Sequence, residues 1–182
     1  SCGQSIEFNG YDYATVQLGN DCWFAENLRT TSYSNADPID GVESFGSGSV
    51  GYSVVYGECG QCYEVVPNAN ACDSEYALQS FGRLYNYAAV VDERSVCPTG
   101  WQVSSHDDWI QVSALADSLF GGYPGLKSTV YWYNNGNGTN ASGLGLTPGG
   151  EGYNCNGGFQ YAGSEGVYWA PDANYNSVYA RD

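Results

Sequence analysis

Seven cysteines, one histidine and a short acidic run are the residues of this chain whose types and spacing could do chemistry. Cys59 and Cys62 form a Cys-x-x-Cys pair with Cys72 a little further on. Such thiolates can hold zinc when a fourth ligand arrives, or can cycle as a redox couple. No second Cys-x-x-Cys and no nearby histidine completes either set, so the plainer reading is a loop stapled by disulfides. Cys2, Cys22, Cys59, Cys62, Cys72, Cys97 and Cys155 are all disulfide candidates, and the odd count leaves one thiol without a partner inside the chain. His106 would need a Ser or Cys nucleophile beside it and a carboxylate behind it to act as a catalytic base. It stands instead in Ser104-Ser105-His106-Asp107-Asp108, which reads as the start of a helix. No carboxylate pair suggests a hydrolase either. No catalytic residue is assigned, and the chain is not expected to be an enzyme. Asp37, Asp40 and Glu43 place three hard oxygen donors in one loop. They make calcium the one cofactor to consider, although EF-hand spacing is absent and a solvated acidic loop explains them as well.

Recognition is a second kind of chemistry, and it points to other residues. Trp132, Tyr133, Asn134 and Asn135 follow one another in a loop, and Tyr153, Asp172, Asn174 and Tyr175 repeat the mixture nearer the end of the chain. Aromatic planes stack on sugars or protein surfaces, while Asn and Asp give directional hydrogen bonds. These eight residues are the candidate ligand-binding set. Core packing for Trp132 and Trp169, and turn formation for the asparagines, are the competing explanations. Asn137-Gly138-Thr139 and Asn140-Ala141-Ser142 match the N-glycosylation acceptor.

Several elements must position these residues. Ile6 and Phe8 alternate with polar neighbours up to Asn9-Gly10, a dipeptide suited to a type I′ hairpin turn. Tyr11 to Leu18 reads as the return strand, and Gly19-Asn20 turns again into Cys22-Trp23-Phe24. Glu75 to Ser80 suggests a single helical turn, and Leu84 to Val91 a strand or short helix. Either Ser104 or Ser105 can cap a helix whose apolar face is Trp109, Val112, Leu115, Ala116 and Leu119, and Gly121-Gly122 ends it. Gly166 to Ala170 reads as a buried strand.

Composition bounds the partners. Twenty acidic residues against five Lys and Arg give a net charge of -15. That field repels nucleic acid and anionic membranes. The 17 Tyr and 5 Trp supply apolar area that sparse aliphatic residues do not, so a folded domain is expected rather than disorder. No apolar run is long enough for a membrane-spanning helix. The cysteine content suits an oxidising compartment. The chain begins at Ser1 and lacks Met, which reads as a processed product or a piece of something longer.

Six blocks then occur in order: GYDYATVQLGNDCWFAENLRTTSYSNADPI, FGRLYNYAAV, CPTGWQVSSHDDW, LKSTVYW, NASGLGLTPGG and GVYWAPDANYNSVYARD. Together they resemble the Fibrobacter succinogenes major paralogous domain family of bacterial secreted and surface proteins. The resemblance covers nearly the whole chain apart from residues 42–80. It implies an α+β, C-type-lectin-like fold: a small twisted antiparallel sheet, one or two helices and long loops. Residues 1–182 then form a single domain, with a cysteine-containing insertion at about 42–80. The family pattern continues to a last strand carrying a cysteine that would pair with Cys97, and no such cysteine follows here, so a C-terminal strand is expected to be missing. The lectin sugar motif is absent, and no block matches the active site of the lectin-like formylglycine-generating enzymes. The resemblance implies a secreted or cell-surface binding or adhesion module that recognises a glycan or protein surface. The alternative is a structural subunit of a surface filament or layer, which self-associates by strand addition or by a Cys97 bridge between chains.

Overall fold

The computed structural model of the chain describes residues 1–44, 48–59, 70–154, 158–172 and 177–181. The fold is α+β, with the short strands among the described residues gathered in four small sheets and few helices. Strands β1 (Ile6–Phe8) and β2 (Tyr11–Tyr13) form a hairpin. Its turn residues Asn9 and Gly10 have φ of 51° and 82°, as a type I′ turn demands. The expected return strand from Tyr11 to Leu18 is broken at Ala14. The Ala14 N–H donates to Glu26 Oε1 and its carbonyl accepts from the Ala25 N–H, so that residue leaves the first ladder. The chain then starts a second hairpin of β3 (Thr15–Leu18) and β4 (Asp21–Phe24).

Beyond the loops, β5 (Ser53–Val54) pairs with β6 (Leu84–Tyr85), so the segment from Leu84 holds both a strand and a helix, α2 (Tyr87–Val90). Between them α1 (Ser74–Phe81) is a full eight-residue helix. Asp73 caps it by accepting from the N–H groups of Glu75 and Tyr76. Helix α3 (His106–Leu115) begins at Ser105, whose hydroxyl accepts from the Asp108 N–H while Asp108 accepts from the Ser105 N–H, a complete capping box. Residues Ala116–Phe120 continue it as a wider π turn that ends at Gly121, φ 76°. The extra residue per turn shifts the helix face by one. Trp109, Val112 and Ala116 are buried as expected, but Leu119 is 68 % exposed and Phe120 packs inward in its place.

The largest sheet has the order β10 (Ser177–Arg181), β9 (Glu165–Trp169), β7 (Gly149–Asn154), β8 (Gly158–Ala162). Its neighbours are antiparallel except β7 and β9, which meet in parallel. Burial falls into three clusters. One joins α3 to Leu18, Trp132, Leu146 and Ala170. A second joins β5 and α1 to Phe159 and Ala162 of β8. A third surrounds Tyr33, Ile39, Ala89, Val96 and Cys97. Strand β4 runs between the first and the third: Trp23 packs on the first, and Phe24 stacks on Trp101, which packs on the third.

Candidate functional site

Successive side chains of a strand point to opposite faces. On β4 both are large aromatics, so the strand has no polar face at Trp23-Phe24. Trp23 meets Trp109 edge-on at 5.1 Å, and Trp109 in turn leans on Tyr168 at 5.4 Å. Phe24 is stacked between Tyr13 at 4.9 Å and Trp101 at 4.6 Å. Of these rings, Trp23, Trp109, Tyr168, Phe24 and Trp101 line an open cleft of about 730 Å³. Ligand pockets generally fall in this size range.

Local chemistry explains how its walls are held. The corner Pro98 to Trp101 is closed by a Trp101 N–H to Pro98 carbonyl bond of 2.9 Å, with Gly100 at φ 85°. Such a turn needs positive φ at its third residue, and glycine supplies it without strain. Trp101 is thereby delivered against Phe24. On the other side the Cys2–Cys22 disulfide ties the first residues to β4. Thr15 Oγ1 accepts from the Gly3 N–H at 2.9 Å and donates to the Gln4 carbonyl at 2.6 Å, which fixes the rim next to β4.

Among the described residues three carboxylates line the cleft, and two are already engaged within the protein. Glu26 accepts from the Tyr11 hydroxyl, the Ala14 N–H and Arg29. Asp108 closes the capping box of α3. Asp21 lies at the exposed rim with Gln4, Ser5 and Gln102, and none of these four side chains bonds to another described residue. The Tyr168 hydroxyl donates to the Thr147 carbonyl at 2.8 Å, and burial raises its pKa. Cys97 also lines the cleft, is 8 % exposed and carries a free thiol. Burial pushes that thiol up to about 11. A neutral thiol is a poor nucleophile, so its chemistry at neutral pH is that of a small apolar group.

A family model, that of the Fibrobacter succinogenes major domain, matches residues 16–181. The chain belongs to this family. No curated protein and no solved structure matches it. The matched span of the Fibrobacter succinogenes major domain contains Trp23, Phe24, Trp101 and Trp109, while Cys2, Gln4 and Ser5 precede it.

The candidate residues read from sequence scatter over this Fibrobacter succinogenes major domain. Trp132 is 5 % exposed and its indole N–H bonds to Ser128 Oγ and the Leu146 carbonyl, both at 3.1 Å. The Lys127 ammonium sits 4.0 Å above its ring. It is therefore a core residue with no face left for a ligand. Tyr133, 41 % exposed, is tied by its N–H to the Gly163 carbonyl at the β8–β9 turn. Asn134 and Asn135 are exposed beside it, with φ of 48° and 63°, and so serve the turn. Tyr153, 50 % exposed, lies toward the opposite end of β8, four residues from the Gly149–Ala162 pair, or about 13 Å along the strand. Asp172 accepts from the His106 N–H at 2.8 Å, at the start of α3. Asn174 and Tyr175 lie outside the described residues, as do Cys62 and Cys155. The described members of the set thus do not form one surface.

Asp37, Asp40 and Glu43 do not converge either. Among the described residues no cluster of three metal-ligating side chains exists, and Asp37 instead pairs with Arg94 at 3.4 Å. Cys59 and Cys72 are both disulfide-bonded, which removes the thiolates a zinc site would need. The buried position of Cys97 also removes it as a bridge between two chains. Sequence reasoning missed the β4 cleft. The adjacent pair Trp23-Phe24 was the signal that could have found it, because one short strand cannot bury both faces in a single core.

Proposed function

We propose that the chain is an exported binding module, of the adhesion kind, that holds a glycan or protein partner and does no chemistry on it. The observation that carries this is the open cleft along β4, whose walls are aromatic faces and whose rim is neutral amide, hydroxyl and one carboxylate. Aromatic walls with a few directional polar groups are the usual make-up of a recognition site. The disulfides support an oxidising location outside the cytoplasm.

An array of glycans and extracellular proteins tests this, probed with the whole chain and with Trp101→Ala. The expected result is retention of at least one partner, weakened by the substitution. Loss on Tyr133→Ala with Trp101→Ala unaffected would move the site to the loop tips. Turnover of an arrayed compound would contradict the binding-module reading. The alternative, a structural subunit, draws on β10, which forms one edge of the largest sheet among the described residues. Self-association in sedimentation, abolished by a proline at Tyr179, would favour it.

A further inference from the structure

The five tryptophans divide by what their indole N–H groups do. Trp109 donates to the Trp169 carbonyl at 3.3 Å, Trp169 to the Tyr85 carbonyl at 2.9 Å, and Trp132 to Ser128 and Leu146. Trp23 and Trp101 donate to no described residue. Both are half-buried, and both line the β4 cleft. An indole N–H is a donor only, and a Trp in such a setting normally meets an acceptor. Here the acceptors must come from water or from whatever occupies the cleft.

We propose that the cleft takes a neutral oligosaccharide, an assignment that rests on the binding-module reading and names its ligand class. The aromatic faces call for an apolar ligand face, which the C–H side of a sugar ring provides. Two donors without partners call for acceptors, which ring and hydroxyl oxygens provide. The rim amides of Gln4 and Gln102, the Ser5 hydroxyl and the Asp21 carboxylate call for donors as well, and sugar hydroxyls are both donor and acceptor.

Charge excludes the competitors. None of the described side chains lining the cleft is cationic, so an acidic sugar or phosphate would meet three carboxylates and a net charge of -15. A cationic ligand would find only Asp21 unengaged, and that residue is exposed, where salt screens it. A proline-rich strand suits aromatic grooves. Its proline residues bring no N–H, so the rim acceptors would lose water without replacement.

Calorimetric titration of the whole chain decides the matter. The probes are cello-, xylo-, manno- and chito-oligosaccharides, with a proline-rich and a lysine-rich peptide in parallel. At least one neutral oligosaccharide is expected to bind, with affinity changed less than about twofold between about 0.05 M and about 0.5 M salt. Trp101→Ala is expected to weaken it about 30-fold or more. Trp23→Phe and Trp101→Phe keep a smaller aromatic face and remove the N–H. Each is expected to cost about 3- to 10-fold at unchanged melting temperature, which separates lost contact from lost folding. Peptide binding that depends on Trp101, with no oligosaccharide bound, overturns the sugar class and leaves the cleft reading standing. Oligosaccharide binding untouched by all three variants overturns the assignment to this cleft. No binding by any probe overturns both.

Discussion

Burial pushes the Cys97 thiol up to about 11, against an ordinary value of 9.0, and this separates a packed cysteine from a reactive one. At pH 7 only about one molecule in ten thousand carries the thiolate. Alkylation of the native chain is therefore expected to be slow at neutral pH and to accelerate as pH climbs toward 11. The same shift links to stability. Between 9.0 and about 11 the folded thiol keeps its proton while the unfolded one releases it. Stability is thus fully present below 9.0 and falls as pH rises through that window, by about 2–3 kcal/mol, whereas Cys97→Ala flattens the decline. Asp92 shows the opposite sign. Hydrogen bonds from Arg94 hold its carboxyl at about 2, so that contribution is lost as pH falls toward 2. In an NMR titration Arg94→Ala is expected to return Asp92 toward the usual carboxylate range. An unchanged Asp92 would show that Arg94 is not the cause. Residue types revealed little of which aromatics line the cleft. Trp132 stands in an Asn-rich loop and reads as a contact, yet its indole N–H is taken by the nearby Ser128 hydroxyl and by the Leu146 carbonyl, and the ring is buried. Trp23 lies half-buried along the cleft, packed on Trp109, a neighbour far away in sequence.

At the scale of elements, local chemistry was the legible part. Asn9-Gly10 and the Ser105-to-Asp108 box are read from a few adjacent residues, because the groups that satisfy the backbone lie within one turn. Ser105→Ala is expected to destabilise the chain by about 1 kcal/mol in denaturant unfolding, with a smaller effect for Ser104→Ala. Where the deciding partner is distant, sequence did not show it. The break at Ala14 depends on Glu26, and the π turn after α3 depends on how Phe120 packs. The Cys2–Cys22 disulfide closes a loop of sequence separation 20 around both N-terminal hairpins. Its removal by Cys2→Ser with Cys22→Ser is expected to cost about 3 kcal/mol, read as a lower denaturant midpoint. It is also expected to weaken any ligand in the cleft by releasing Gln4 and Ser5.

For the whole molecule, the six blocks in order pointed to the family and, through that resemblance, to an α+β class; the match over residues 16–181 bears out the family, and the strands and helices the class. They did not place the site. Three small cores, rather than one, leave a seam along β4, and such a seam follows from packing distances that no linear pattern records. The net charge of -15 would repel anionic ligands from that seam. The most direct test follows the five tryptophan indole N–H signals by NMR while a neutral oligosaccharide is added. Shifts concentrated in Trp23 and Trp101, with Trp132 and Trp169 nearly still, are the predicted result. Signals of Trp23 and Trp101 that stay fixed while the oligosaccharide binds would contradict the cleft as the site of recognition.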